Sequence, residues 1–229
     1  MELNERQQII MELLREKGQI RVTDMAKELH YSEMTIRRDL AKMEAGGLLR
    51  RSHGVALEND IKGMPLTSRS FNQDTEKRAL CREGAKLLED GMSVFLDSSS
   101  TCLYMIPYIA KFREISIFTN SVQVLLSASG YNVPCYITGG KYFEKDMCLL
   151  GYYAENFAAD LNVDIAFFSC AGYSDDGRIT DYSEEQSAVR RSVMKGAKKS
   201  VMLLDSSKKN LVFTFTVCRE EELYKVITV

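Results

Sequence analysis

The stretch SEMTIRRDLAKM, running from Ser32 to Met43, decides how the N-terminal part of this chain folds. Ile36, Leu40 and Met43 recur at i, i+4 and i+7, so a helix would carry them on one face. Ser32 stands where an N-cap belongs, its hydroxyl able to accept a backbone N–H that the first turn leaves unpaired. Thr35, Arg37 and Arg38 fall on the outer side, near the N-terminal end. The apolar stripe would hold the helix on its neighbours. The outer residues suit a duplex, because arginine forks onto guanine or phosphate and a hydroxyl bonds either. A solvated basic face on a small helical bundle would show the same residues.

The flanking residues separate these readings. Upstream, ERQQIIMELLREK (5–17) places Ile9, Ile10, Leu13 and Leu14 on one helical face, and Gly18 ends that helix. Ile20–Val22 is a short extended piece. Thr23 is expected to cap a second helix reaching Leu29, with Met25, Ala26 and Leu29 inward. His30 and Tyr31 form the turn into the quoted helix, and Gly46-Gly47 break it. LLRRSHGVAL (48–57) reads as two short strands turning near Gly54, with Arg50, Arg51 and His53 on the hairpin. Helix, short strand, helix, turn, helix and hairpin is the order of a winged helix-turn-helix, whose third helix enters the major groove.

The chain has 229 residues and a formal net charge of −2. Residues 1–54 hold 10 Lys+Arg against 9 Asp+Glu, so any nucleic-acid contact must come from local placement of charge. The hydrophobic share of 45% is that of a globular protein, and no apolar run approaches the roughly 18 residues of a membrane span. The N-terminus lacks the layout of a secretory signal. Cys81, Cys102, Cys135, Cys148, Cys170 and Cys218 are scattered without a C-x-x-C pair, which fits buried free thiols and a cytoplasmic protein. No metal, cofactor or membrane partner is expected.

Residues 58–73 are polar, carry Gly63 and Pro65, and read as a linker between a head (1–57) and a second domain (74–229). A helix resumes near Asp74, with Thr75, Lys77 and Arg78 expected outward. Beyond it SVFLD, SIFT, CYIT, DIAFFS and SVMLLD are short apolar runs separated by helical stretches at 101–112, 121–128, 151–161 and 183–198. VFTFTV and KVITV add further strands. This alternation predicts an α/β domain with a mostly parallel sheet covered on both faces.

Ligands of such sheets collect beyond the carboxyl ends of the strands. Those ends read Asp97-Ser98-Ser99-Ser100-Thr101, Thr119-Asn120-Ser121, Thr138-Gly139-Gly140, Ser169-Cys170-Ala171-Gly172 and Asp205-Ser206-Ser207-Lys208. Hydroxyls and backbone N–H groups there suit a phosphate, Lys208 would add positive charge, and Asp97 could accept from sugar hydroxyls. Each loop alone reads equally as an N-cap or a turn. Together they predict a polyol-phosphate site.

These residues resemble the DeoR-type family of bacterial transcriptional regulators, typically repressors of sugar-catabolism genes. S-E-M-T-I-R-R-D-L resembles the family's S-x-x-T-I-R-R-D-L, and G-G-L-L-R-R-S-H-G its G-x-L-x-R-x-H-G-G. D-S-S-S-T, T-N-S, G-G, Gly151 and D-S-S-K resemble the effector domain, which in the family is similar in fold to sugar-phosphate isomerases. The resemblance implies double-stranded operator DNA held by Ser32, Thr35, Arg37, Arg38, Arg50, Arg51 and His53. It also implies a phosphorylated sugar or polyol at the strand ends, with Gly172, Glu185 and Lys208 among its contacts, and a homo-oligomer. Val55 replaces the second wing glycine. Gln186 takes the place of a family glutamate, for which Glu185 is the candidate substitute. The sequence stops at Ile227-Thr228-Val229, where members usually continue, which would shorten the last strand.

Two other functions fit the same residues. One is a sugar-phosphate isomerase with an attached DNA module, using Asp97, Glu185 and Lys208 because both histidines, His30 and His53, lie in the head. The other is a protein-interaction module built on the winged helix.

Overall fold

Asn4 starts the first helix through a capping box. Its side chain accepts from the Gln7 N–H at 3.0 Å, and the Gln7 side chain accepts from the Asn4 N–H at 3.2 Å. In this computed structural model α1 spans Glu5–Lys17, β1 Gln19–Arg21, α2 Val22–Glu28, α3 Glu33–Ala45, β2 Leu49–Ser52 and β3 Val55–Glu58. The structure describes residues 3–45, 48–52, 54–58, 66 and 73–229, with only the backbone of Arg15, Arg50, Ser52, Leu57 and Glu58. The expected break at Gly46-Gly47, the wing residue His53 and nearly all of the expected linker lie outside these.

Gly18, at φ +68°, closes α1 by donating its N–H to the Leu14 carbonyl, as its position predicts. The three strands form an antiparallel sheet in the order β1-β3-β2, with Ile20 opposite Ala56 and Arg51 also opposite Ala56. Ile10, Leu14, Met25, Ile36, Leu40, Met43, Leu49 and Ala56 meet in one buried cluster, so the stripe read from the sequence is the core of this unit. Thr23 is not the cap of α2. The helix begins at Val22, whose N–H donates to the Gly54 carbonyl at 3.0 Å, so the hairpin turn supplies the acceptor that a capping side chain would otherwise provide.

The chain divides into two compact units, Met1–Arg69 and Ser70–Val229. In the second, α4 (Asp74–Gly84) leads into β4 (Ser93–Leu96). Next come a 3-10 turn at Cys102–Met105, α5 (Ile106–Ile109), β5 (Ser116–Thr119), α6 (Val122–Gly130), β6 (Cys135–Ile137) and the hairpin β7 (Lys141–Phe143) and β8 (Cys148–Leu150). After these lie α7 (Tyr152–Ala159), β9 (Ile165–Phe168), β10 (Gly172–Tyr173), β11 (Arg178–Asp181), α8 (Glu184–Gly196), β12 (Ser200–Leu204), β13 (Phe215–Arg219) and β14 (Lys225–Thr228). The long helix expected at 101–112 is instead a 3-10 turn and one α-turn. Pro107, which lacks an N–H, is seated in the first turn of α5, where none is needed.

Six strands make one parallel sheet in the order β14-β12-β9-β4-β5-β6, with an apolar cluster on each face. β9 and β12 are buried along their whole length, which is why they read as continuous apolar runs. β14 pairs with β12 from Lys225 to Thr228, so the final strand is not shortened over those residues. β13, within the expected strand VFTFTV and beyond, joins β10 and β11 in a small antiparallel sheet. Among the described residues no helix is long and apolar enough to cross a membrane. All six cysteines are free thiols, five of them buried.

Candidate functional site

In the head, Ser32 caps α3 as predicted. Its Oγ accepts from the Thr35 N–H at 3.2 Å and lies 2.9 Å from the Thr35 hydroxyl. Arg37 and Arg38 are exposed, and Arg37 donates to its helical neighbour Glu33 at 3.2 Å. Such a surface pair yields readily to a phosphate or base. Asp39, which the sequence reading passed over, is buried and accepts from Arg6 and, at 3.3 Å, from the Gln7 side chain. The motif T-I-R-R-D-L therefore divides its labour: Ile36 and Leu40 pack, Asp39 ties α3 to α1, and the arginines face solvent.

Arg51 differs from a freely extended wing residue. Its N–H and Nε donate to the two carboxylate oxygens of Glu44, at 2.8 and 2.7 Å, fixing the base of β2 to the last turn of α3. Hydrogen bonds from Arg51 hold the Glu44 carboxyl below its usual pKa. The side chain of Arg50 and all of His53 lie outside the described residues.

In the second unit the strand-end loops are buried and internally bonded. Asp97 does not present an open acceptor. Its carboxylate takes hydrogen bonds from the Ser99 N–H at 2.9 Å, the Ser169 N–H at 3.2 Å and Arg190 Nε at 2.8 Å. Arg190 is itself buried and reaches Asp181 at 2.9 Å and the Gln186 amide oxygen at 3.2 Å. Gln186 passes the chain on to Asp146 at 2.8 Å. Burial works against the charge of Arg190, but Asp181 and Asp97 outweigh it and hold its pKa above the ordinary value. The departure at position 186 is thus resolved: Gln186, not Glu185, points inward, and Glu185 is exposed and accepts from Ser183.

Several predicted effector residues have structural partners. Ser99 Oγ accepts from the Cys102 N–H, Ser121 caps α6 through the Val124 N–H, and Thr119 Oγ1 donates to the Leu96 carbonyl at 2.7 Å. A Cβ on Gly140, at φ +126°, would lie 2.6 Å from the Leu150 carbonyl oxygen, so this glycine lets the β7–β8 hairpin close. Gly139 has room for a side chain. A Cβ on Gly172 would fall 2.4 Å from the Leu211 oxygen, so the absence of a side chain lets the two backbones approach. Ser98 and Thr101 are buried beside these groups, and Lys208 is half-buried.

Lys77, expected outward, is buried at 3% exposure and donates from Nζ to Ser100 Oγ at 3.1 Å. Asn120 Oδ1, Thr138 Oγ1 and Asp205 Oδ2 are buried without a hydrogen-bond partner among the described residues. All three residues directly follow parallel strands: β5, β6 and β12. An orphaned buried polar atom costs about 1–3 kcal/mol, and this placement aligns that cost with the carboxyl edge of the sheet. A cavity of about 390 Å³ opens at the β12 and β14 end of that edge, lined by Asp205, Ser206, Lys209 and Thr228 among others.

Comparison with known proteins agrees with both units. Residues 6–62 match the DeoR-like helix-turn-helix domain, and residues 72–228 match the DeoR C terminal sensor domain. The L-fucose operon activator of Haemophilus influenzae is 31% identical over 211 residues, 90% of this chain and 84% of that protein. Among solved structures, eIF2B delta from Chaetomium thermophilum shares the fold with a TM-score of 0.52, at 11% identity over 69% of this chain and 56% of its own. A D-ribose-5-phosphate isomerase in complex with phospho-erythronic acid aligns at 0.46, with 16% identity over 61% of this chain and 55% of its own. With its helix-turn-helix domain and its sensor domain both matched over nearly the whole chain, the protein belongs to the DeoR family of helix-turn-helix transcriptional regulators.

Proposed function

We propose that the chain regulates sugar or polyol catabolism genes by binding operator DNA through α3 and the wing, under the control of a phosphorylated sugar or polyol held at the carboxyl edge of the sheet. On the DNA side, Ser32, Thr35, Arg37 and Arg38 are the readers, and Arg50, Arg51 and His53 belong to the wing. The row of buried, unpartnered polar atoms at Asn120, Thr138 and Asp205 carries the effector half of this reading. A polyol supplies hydroxyl donors to the two acceptors that need them. Ser98, Ser99, Ser100, Thr101, Ser121 and Lys208 frame the same edge. Effector can change operator affinity only by binding the DNA-competent and incompetent states differently.

A homo-oligomer in the cytoplasm fits this function, since one reading head spans few base pairs and such proteins pair heads on symmetric half-sites. The relative named above is called an operon activator, so repression is not a given for this chain. The deciding experiment is a thermal-shift screen of phosphorylated sugars on the full chain, followed by operator titration with each hit. A hit at about 100 times its dissociation constant adds roughly 2.7 kcal/mol and changes operator affinity. Turnover of a sugar phosphate at enzyme rates, on the order of 1–1000 per second, would replace this reading with the isomerase one.

A further inference from the structure

Residues 115–140 carry no charged side chain, although 27% of the chain is charged. They hold β5, α6 and β6, which end the six-stranded sheet. Surfaces that meet other proteins are depleted in charge and enriched in tyrosine at their centres. Tyr136, in the middle of β6, is 54% exposed and stacks on Phe118 with ring centroids 4.9 Å apart. Phe118 packs on the same apolar cluster as Ala154, so Tyr136 lies on the α7 face of the sheet. Just past β6, a Cβ on Gly139 would lie 3.6 Å from that of Tyr153. Tyr153, its neighbour Tyr152 and Tyr142 on β7 are exposed around this turn. At about 200 Å² for a whole tyrosine, the four offer about 500 Å², against about 800 Å² per partner in a stable complex.

The outer side of β6 has a symmetric backbone. The Pro134 carbonyl accepts from the Ile117 N–H at 2.8 Å, and the Thr138 N–H donates to the Thr119 carbonyl at 2.9 Å. Residues 134, 136 and 138 therefore turn their backbone groups to β5, and Cys135 and Ile137 turn theirs outward. Pro134 lacks an N–H, but it faces β5 and takes nothing from the outer side. Among the described residues no strand pairs with that side. The opposite edge, β14, begins with Lys225, the kind of residue that keeps an edge from pairing. β6 has no such guard. A charged patch repels itself across a two-fold axis, whereas a neutral one can meet its own copy.

We propose that β6 is a self-pairing edge, through which two copies of the chain join antiparallel about a two-fold axis at Tyr136. Cys135 of each copy then lies opposite Ile137 of the other, and both residues have the outward N–H and C=O that such a pair exchanges. Tyr136 meets its own copy in the closer type of pair, with Cα atoms about 4.5 Å apart, and each ring keeps its stack on Phe118. The sheet runs on from one sensor unit into the next. This rests on the homo-oligomer of the proposed function and gives it a surface.

Sedimentation equilibrium of the full chain is the first test. Tyr136→Lys sets two like charges at the axis and should raise the dimer dissociation constant at least tenfold, a change of about 1.4 kcal/mol. Tyr136→Cys, in a Cys135→Ser background, should form a disulfide-linked dimer with oxidised glutathione, because the paired Cα atoms stand within bridging distance. Tyr224→Cys in the same background, equally exposed beside the opposite edge, should remain uncrosslinked. Equal crosslinking of the two cysteine variants would overturn the proposal. An oligomer unmoved by Tyr136→Lys would also overturn it, while leaving the oligomer of the proposed function standing. A parent that stays monomeric throughout would sink both. If Tyr136→Lys fails to fold, the crosslinking pair decides alone.

Discussion

Single residues show the division of labour most plainly at Arg37 and Arg190, two arginines in opposite settings. Arg37 is exposed and paired with Glu33 on the same helix. Arg37→Ala should leave the unfolding free energy within about 0.5 kcal/mol. The same substitution should cost about 1–3 kcal/mol of operator binding, measured by fluorescence anisotropy. Operator binding equal to that of the parent would remove the reading role. Arg190 is buried between Asp97 and Asp181. Arg190→Met leaves two carboxylates without their cation, and urea denaturation should show a loss of about 3–5 kcal/mol. The first arginine was legible in the sequence, because helical periodicity puts it outside. The second was not, because its partner Asp97 lies 93 residues away and no local pattern announces the pair.

Elements were legible where one periodicity governed them. The stripe of α3 and the apolar runs of β9 and β12 follow directly from burial on one face or on two. Lys77 was misread because α4 buries a wider arc than its apolar residues mark, extending to a lysine that meets a serine loop. That β13 would join β10 and β11 was not legible, because its apolar run gives no sign of which sheet it enters. The parallel strands β4 and β9 share a further device at their amino ends. Asp164 accepts from the Ser93 N–H at 2.9 Å, the Ser93 hydroxyl at 2.7 Å and Lys198 Nζ at 2.7 Å. Those bonds, that with Lys198 first, hold its carboxyl well below the usual carboxylate range. A depressed folded-state pKa gives stability that is complete above the unfolded value near 3.9 and is lost as pH falls toward the folded one. Asp164→Asn should therefore lower stability at neutral pH and flatten its decline between about pH 4 and pH 2, followed by urea midpoints. An unchanged acid slope would show that Asp164 does not carry it.

At the scale of the whole chain, the two units build their cores from separate stretches of sequence: one cluster from residues 10–56, and two from residues 80–227. Each should unfold cooperatively, and a strand-end ligand should raise the transition of the second unit alone. Differential scanning calorimetry with and without a sugar-phosphate hit checks this. An equal shift in both transitions would mean that the ligand binds the head as well. Composition alone could not show this partition. The polar stretch at 58–73 and the change from helical to strand periodicity near residue 93 did.

The thiols of this chain have a consequence of their own. Burial pushes Cys81, Cys170 and Cys218 up to about 12 and the half-buried Cys135 up to about 11. At cellular pH almost none of them is the thiolate that peroxide attacks. Native protein at pH 8 should therefore resist peroxide and iodoacetamide until it is unfolded.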